Sequence, residues 1–193
     1  AIADIARSTG LALSAAPNRF ASQASPDALV ELSGQLRVAA TALFKIANDI
    51  RLLASGPNTG LAEIRLPELQ PGSSIMPGKV NPILCEVVTQ VAAQVIGHDA
   101  TVAFAGSQGT LEMNTYLPVI ADNLLASISL LGHAAADFGS RCVVGIEADR
   151  DRCRAFAEAS PAVAAALNPL IGYDAATQLV QRALTEQRPL RDV

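Results

Sequence analysis

Apolar residues recur along the chain at the three- and four-residue spacing of α-helices. The first long run follows Ser25, Pro26 and Asp27, where a capping serine, a first-turn proline and an acidic residue favour a helix start. Gly56-Pro57 ends the run. A helix of this length is about 40 Å long and implies a bundle. Its apolar positions form a heptad pattern: Leu29, Leu32, Leu36, Ala39, Leu43, Ile46, Ile50 and Leu53.

Two further long helices are predicted downstream. The second should begin at Pro82, with an apolar face at Leu84, Val87, Val88, Val91 and Val95. A glycine-containing break at residues 106–109 precedes the third. Pro118 predicts a kink or a late start in that helix. Its apolar residues repeat every seven positions, at Leu117, Leu124, Leu131 and Phe138.

After about residue 140 the segments become shorter, with prolines and glycines between them. Ser160-Pro161 and Asp174 are typical of helix starts. We therefore predict an all-α fold, a bundle of three long helices with a small C-terminal helical domain. The predicted domains are residues 1–140, the central helical bundle, and residues 141–193, an incomplete C-terminal domain.

Composition narrows the class of protein. Half of the residues are hydrophobic but only 4% are aromatic, and the net charge is -4. The sequence contains no block of basic residues of the kind that binds nucleic acid. Its longest stretches without charge are shorter than the ~18–20 residues needed to span a bilayer. Cys85, Cys142 and Cys153 are widely spaced, which argues against a zinc site or a disulfide scaffold. With no visible signal peptide, we expect a soluble, cytoplasmic protein.

The glycine- and proline-rich segment 57–81 is the candidate functional region, since long loops without secondary structure are often functional. Asn81 is a good N-cap for the helix that follows, and Lys79 adds a positive charge near that N-terminus, where anions bind. Gly72 and Gly78 permit close approach of the backbone to a ligand. Ser73 and Ser74 supply hydroxyl groups between these glycines. Chemistry alone thus leaves two interpretations, a carboxylate-binding loop with a reactive hydroxyl or a capped helix after a solvated surface loop.

The sequence of this segment resembles the signature of the fumarase/aspartase superfamily. The matching run is Gly72-Ser73-Ser74-Ile75-Met76-Pro77-Gly78-Lys79-Val80-Asn81-Pro82, and residues 72–80 are called the signature loop below. The resemblance extends over essentially the whole chain and is closest to class II fumarases. Further matching segments are residues 45–51, 55–57, 61–64, 106–109, 112–114, 144–147, 166–168 and 171–174.

The resemblance implies a role for each matching residue. Ser73 corresponds to the general base, which removes a proton from the carbon next to a carboxylate and leaves an aci-carboxylate intermediate. Lys79 and Asn81 correspond to residues that bind a substrate carboxylate. Glu86 corresponds to the carboxylate that orients a water together with a histidine from another segment. Ser74 is a further candidate for substrate binding, although hydrogen bonding within the loop is the favoured interpretation of its hydroxyl.

The implied reaction is the reversible hydration of fumarate to malate, a step of the tricarboxylic acid cycle. Aspartate ammonia-lyase is the close alternative, because Leu111-Glu112 and Leu69-Gln70 resemble that group somewhat better. Met113-Asn114-Thr115 departs from the pattern usual in both groups. A third alternative is a non-catalytic scaffold, as in the lens crystallins of this superfamily.

The resemblance also implies a homotetramer with shared active sites and a small dicarboxylate substrate, with no nucleic-acid or membrane partner. No cofactor is expected, and no spacing of residues suggests a metal site. His98 and His133 lie outside the family's motifs and receive no role. Because members of the family are much longer, we expect the chain to be a fragment that lacks the N-terminal region with the catalytic histidine, and to be inactive by itself.

Overall fold

A computed structural model describes residues 1–193, and its regular structure is predominantly helical, which confirms the predicted all-α class. Two short strands, β1 (Ile64–Arg65) and β2 (Glu147–Ala148), pair antiparallel. Short 3₁₀ segments cover Val143–Gly145, Pro161–Leu167 and Leu190–Asp192. The α-helices are α1 (Ile2–Thr9), α2 (Arg19–Ala24), α3 (Asp27–Leu53), α4 (Ile83–Gly106), α5 (Leu117–Arg141), α6 (Arg150–Ala159), α7 (Asn168–Ile171) and α8 (Tyr173–Glu186).

The boundaries of the three long helices follow from the local sequence. Helix α3 begins at Asp27 and ends at Leu53, as its capping and stop signals predict. Helix α4 ends at Gly106, in the predicted break. Helix α5 starts at Leu117 with Pro118 in its first turn, where the missing N–H is tolerated. Of the two predictions for Pro118, the late start is therefore confirmed.

The chain forms two compact units, residues 1–49 with 81–142 and residues 50–80 with 143–193. The first unit contains α1, α2, α4, α5 and most of α3, and the second contains both strands and the short C-terminal helices. The second unit also includes residues 50–80, which the predicted bundle domain 1–140 would contain. The predicted domain boundary between residues 140 and 141 stays a prediction.

Helices α3, α4 and α5 enclose the core of the first unit. One buried cluster contains Ala40, Ala92, Val95 and Leu131. A second cluster contains Val102, Ala105, Ile120 and Leu124. Leu36 packs against both clusters, so the core is continuous along the three helices. As predicted for α5, Leu124, Leu131 and Phe138 are buried, whereas Leu117 is exposed.

The face that α3 buries differs from the predicted heptad. Its buried residues are Ser33, Ala40 and Ala47, again seven residues apart. The predicted positions Leu29 and Leu32 are exposed, and so is Ile46. That part of the prediction is wrong because a hydrophobicity pattern favours large side chains. Small side chains occupy the tightest contacts instead, where neighbouring helices approach most closely.

Polar side chains also link the three long helices. The buried carboxylate of Asp99 on α4 accepts a hydrogen bond of 2.7 Å from Ser33 Oγ and pairs with Arg37 at 2.9 Å. His98 Nδ1 lies 3.0 Å from Ser127 Oγ on α5. These directional contacts fix the rotation of α4 relative to both neighbours. His98 thus has a structural partner on α5, and His133 contacts the backbone of its own helix at Ser129.

The second unit has its own small core of Ala164, Ala183 and Leu190. The Ser160 hydroxyl accepts from the Ala162 N–H, which supports the predicted start at Ser160-Pro161. Asp149 caps α6 by accepting from the Arg152 N–H at 3.1 Å. This hydrogen bond, together with the Arg65 guanidinium, lowers the pKa of Asp149 from its ordinary value.

None of the three cysteines forms a disulfide, and Cys85 and Cys142 are buried. Burial raises the pKa of the Cys142 thiol, an effect that its contact with Cys85 opposes. Both residues therefore act as small apolar side chains of the bundle.

One helical stretch, Leu117–Gly145, is long and apolar enough to cross a membrane. A single stretch of this kind is weak support for a membrane span, because the core helix of a bundle meets the same criteria. In α5 the apolar stripe through Ile120, Leu124 and Leu131 is buried, as a core helix requires.

Asn114 links the end of α4 to the start of α5. Its side chain is buried and donates to the carbonyl of Ala105 at 3.0 Å, while its Oδ1 accepts from the Tyr116 N–H at 2.8 Å. Its own N–H donates to the carbonyl of Gln23 at 3.1 Å. One amide side chain therefore satisfies groups at two helix ends.

Replacing Asn114 with Ala should destabilise the protein by about 1–3 kcal/mol, because the buried Ala105 carbonyl and the part-buried Tyr116 N–H lose their partner. Chemical denaturation of the full-length protein measures this change. Asn123→Ala is the matched control, since the Asn123 side chain makes one exposed hydrogen bond within its own helix. Equal stability of the Asn114 and Asn123 variants would contradict the role given to Asn114.

Candidate functional site

The signature loop closes on itself through its backbone. The Gly72 N–H donates to the Lys79 carbonyl at 2.9 Å, which joins the two ends of the loop. Inside this closure, the Lys79 N–H donates to the Met76 carbonyl at 3.3 Å. Gly78 has φ +76°, in the left-handed region that favours glycine. The loop is therefore a defined turn rather than an irregular segment.

Ser73 has the most constrained hydroxyl of the loop. It is half-buried, and its Oγ accepts hydrogen bonds from the backbone N–H groups of Ile75 and Met76, both at 3.1 Å. Two N–H donors directed at one oxygen favour a negative charge on that oxygen. Ser74, the neighbouring hydroxyl, is exposed.

The tip of the loop faces solvent. Ile75 is 86% exposed and Met76 is 52% exposed. Lys79 is also exposed, so its ammonium group can reach a soluble anion. Exposed apolar side chains beside an accessible cation are consistent with a loop that covers a small ligand.

The start of α4, in the first unit, supplies the other two candidate residues. The helix begins at Ile83 with Pro82 at the N-cap position, so the prediction that Asn81 caps the helix is wrong. Pro82 has ψ 60°, outside the helical range, and places Asn81 one residue before the cap. The Asn81 carbonyl accepts from the Ile83 N–H at 2.9 Å.

Glu86 is half-buried in the first turn of α4. Its N–H donates to the carbonyl of the N-cap residue Pro82 at 3.0 Å. An acidic side chain in the first turn is stabilised by the positive end of the helix dipole.

Sequence reasoning located these residues but missed how the loop is built. The closure from Gly72 to Lys79 and the two N–H groups on Ser73 depend on backbone geometry. The available signal was the pair of glycines near the ends of the run, since closed turns commonly need them.

Comparison with known proteins identifies the family. Residues 1–97 match a protein family described as lyase. The chain belongs to this lyase family. It is also 54% identical over 191 residues to the class II fumarate hydratase of Corynebacterium efficiens, which covers 98% of this chain and 40% of that protein.

Two solved structures agree with this assignment. A structure described as fumarate lyase:delta crystallin from Brucella melitensis has a TM-score of 0.92 and 48% identity, covering 99% of this chain and 44% of that one. The class II fumarase of Schistosoma mansoni has a TM-score of 0.87 and 41% identity, covering 98% and 42%. The predicted resemblance to the fumarase/aspartase superfamily is confirmed. The chain spans about 40% of the length of the curated relatives it matches.

Proposed function

We propose that the full-length protein containing this chain hydrates fumarate reversibly to malate. The similar proteins named class II fumarate hydratase support the substrate. The observation that carries the chemistry is the Ser73 hydroxyl, whose oxygen receives two backbone N–H groups. A serine oxygen is a weak base unless its anion is stabilised, and this turn supplies that stabilisation.

Each candidate residue has a role in the proposed reaction. In the malate-to-fumarate direction, the ionised Ser73 oxygen takes the proton from the carbon next to a carboxylate. The C–H electron pair moves onto the carboxylate oxygens, where Lys79 and Asn81 bind. The electron pair then returns from those oxygens to form the carbon–carbon double bond of fumarate while the C–O bond breaks. The departing hydroxide takes a proton from the histidine outside this chain and leaves as water, which Glu86 orients together with that histidine. Ser73 finally releases its proton to solvent, which restores the base. Ser74 is proposed only as an additional substrate contact.

The first test is a substrate assay with the full-length protein, in which malate and aspartate are offered separately and fumarate is detected by its ultraviolet absorbance. Turnover of malate is expected. Turnover of aspartate alone would replace the proposal with an aspartate ammonia-lyase, the alternative that Leu111-Glu112 favours. If neither substrate reacts, the enzymatic proposal fails and a non-catalytic scaffold becomes the better account.

Ser73→Ala in the full-length protein should lower kcat by about 10²–10⁴-fold, because the reaction loses its general base. Ser74→Ala is the matched control, since it removes the adjacent exposed hydroxyl, and it should change kcat only a few-fold. Circular dichroism checks that both variants are folded. Comparable losses in the two variants, or an active Ser73→Ala enzyme, would show that Ser73 is not the base.

The full-length protein is also proposed to form a homotetramer in which different subunits complete each active site. All three long helices expose large apolar side chains, including Val38 (60%), Phe104 (62%) and Leu125 (68%). Exposed apolar surface of this kind marks interaction sites. Native mass spectrometry should find four copies, and a monomer with full activity would contradict the shared site.

Cytoplasmic location and a place in the tricarboxylic acid cycle belong to the same proposal. Three cysteines without a disulfide, Cys85, Cys142 and Cys153, suit a reducing compartment. The cycle follows from the proposed interconversion of fumarate and malate.

A further inference from the structure

Residues 60–65 run between the end of α3 and the start of α6 in the second unit, upstream of the signature loop. We call this segment the brace. It contains β1, and Ala62 within it has φ 51°, a conformation that non-glycine residues rarely adopt. Such backbone persists only where the surrounding contacts determine it.

The N–H groups of the brace bind the end of α3. Ala62 donates to the Ser55 carbonyl at 2.8 Å, and Glu63 donates to the Leu53 carbonyl at 2.9 Å. Leu61 donates to the Ser55 hydroxyl at 3.1 Å. Gly60 lies so close to Ser55 that an added Cβ would meet its backbone at 2.4 Å. The upstream side of the brace is thus fixed to α3 without room for a side chain at Gly60.

The carbonyl groups of the brace bind the first turn of α6. Arg152 donates through Nη2 to the Gly60 carbonyl and through Nε to the Leu61 carbonyl, both at 3.0 Å. Its guanidinium also lies over the Phe156 ring, 4.8 Å from the centroid. The Glu63 carbonyl accepts from the Asp149 N–H at 2.8 Å. The planar guanidinium group of Arg152 on α6 therefore fixes the position of two consecutive peptide carbonyls.

Further contacts hold the chain between the brace and the signature loop. Arg65 pairs with Asp149 at 2.8 Å, beside the pairing of β1 with β2. Gly145 faces Pro67 so closely that an added Cβ would meet its ring at 2.4 Å. The chain is therefore held up to Pro67, whereas the tip of the signature loop is exposed.

We propose that Arg152 is a positioning residue. It holds the brace in place, and this fixes the point from which the signature loop extends and so the position of Ser73. The catalytic part of this inference rests on the proposed function. Arg152 itself is not proposed to contact substrate. Its loss should loosen the brace locally and misplace Ser73 while leaving the long-helix bundle intact.

Hydrogen–deuterium exchange on the full-length protein tests the structural half. In Arg152→Ala, the amides of residues 61–63 should exchange about tenfold faster or more, since charge-assisted hydrogen bonds are lost. Arg154→Ala, an exposed arginine on the same helix, should leave the exchange of these amides unchanged. Arg152→Lys should not restore it, because one ammonium cannot occupy both carbonyls. If Arg152→Ala does not fold, the Lys variant carries the test.

Unchanged exchange in residues 61–63, or equal acceleration throughout α4 and α5, would overturn the proposal. Steady-state kinetics with malate tests the catalytic half. The kcat of Arg152→Ala should fall about tenfold or more with a smaller change in KM, because misplacing the base affects the reaction step. Faster exchange with unchanged kcat would also overturn the positioning role. A wild-type protein without malate turnover would refute the proposed function instead, and the exchange result would still decide whether Arg152 holds the brace.

Discussion

The hydrogen bond from the Gly72 N–H to the Lys79 carbonyl is the constraint on which the proposed chemistry depends. It turns a glycine- and proline-rich segment into a closed loop with a defined interior. Within that closure the N–H groups of Ile75 and Met76 converge on the Ser73 oxygen. A hydroxyl in an open loop would be solvated by water, which reorganises freely, whereas fixed N–H dipoles are already oriented toward a developing charge.

Within each unit, packed elements hold the candidate residues in place. In the second unit, the brace is held between α3 and α6 by backbone groups and Arg152. In the first unit, small residues allow the long helices to pack closely, and Asp99 fixes the orientation of α4. Glu86 belongs to that helix. Sites on rigid elements hold their geometry better than sites on free loops, and here the loop itself is fixed upstream of its exposed tip.

Sequence reasoning recovers the features that depend on neighbouring residues. The start of α3 at Asp27 and the late start of α5 at Leu117, beside Pro118, follow from capping and proline chemistry. The buried face of α3 was not recovered, because Ala40 and Ala47 give a weak hydrophobic signal. Arg152 was missed for a different reason. Its carbonyl partners lie about ninety residues earlier in the chain, and contacts with backbone carbonyls leave no periodic pattern in the sequence.

At the candidate site, too, the sequence reveals the residue types but not the contacts that the folded backbone makes with them. The residue types at Ser73, Lys79, Asn81 and Glu86 are recognisable from the chain alone, but their environments are not. The most direct measurement is a crystal structure of the full-length protein with a bound dicarboxylate. We expect Ser73 Oγ within about 3.2 Å of the carbon that loses its proton, with the closure between Gly72 and Lys79 retained. A bound dicarboxylate whose reacting carbon faces another base, with Ser73 directed away, would contradict this account.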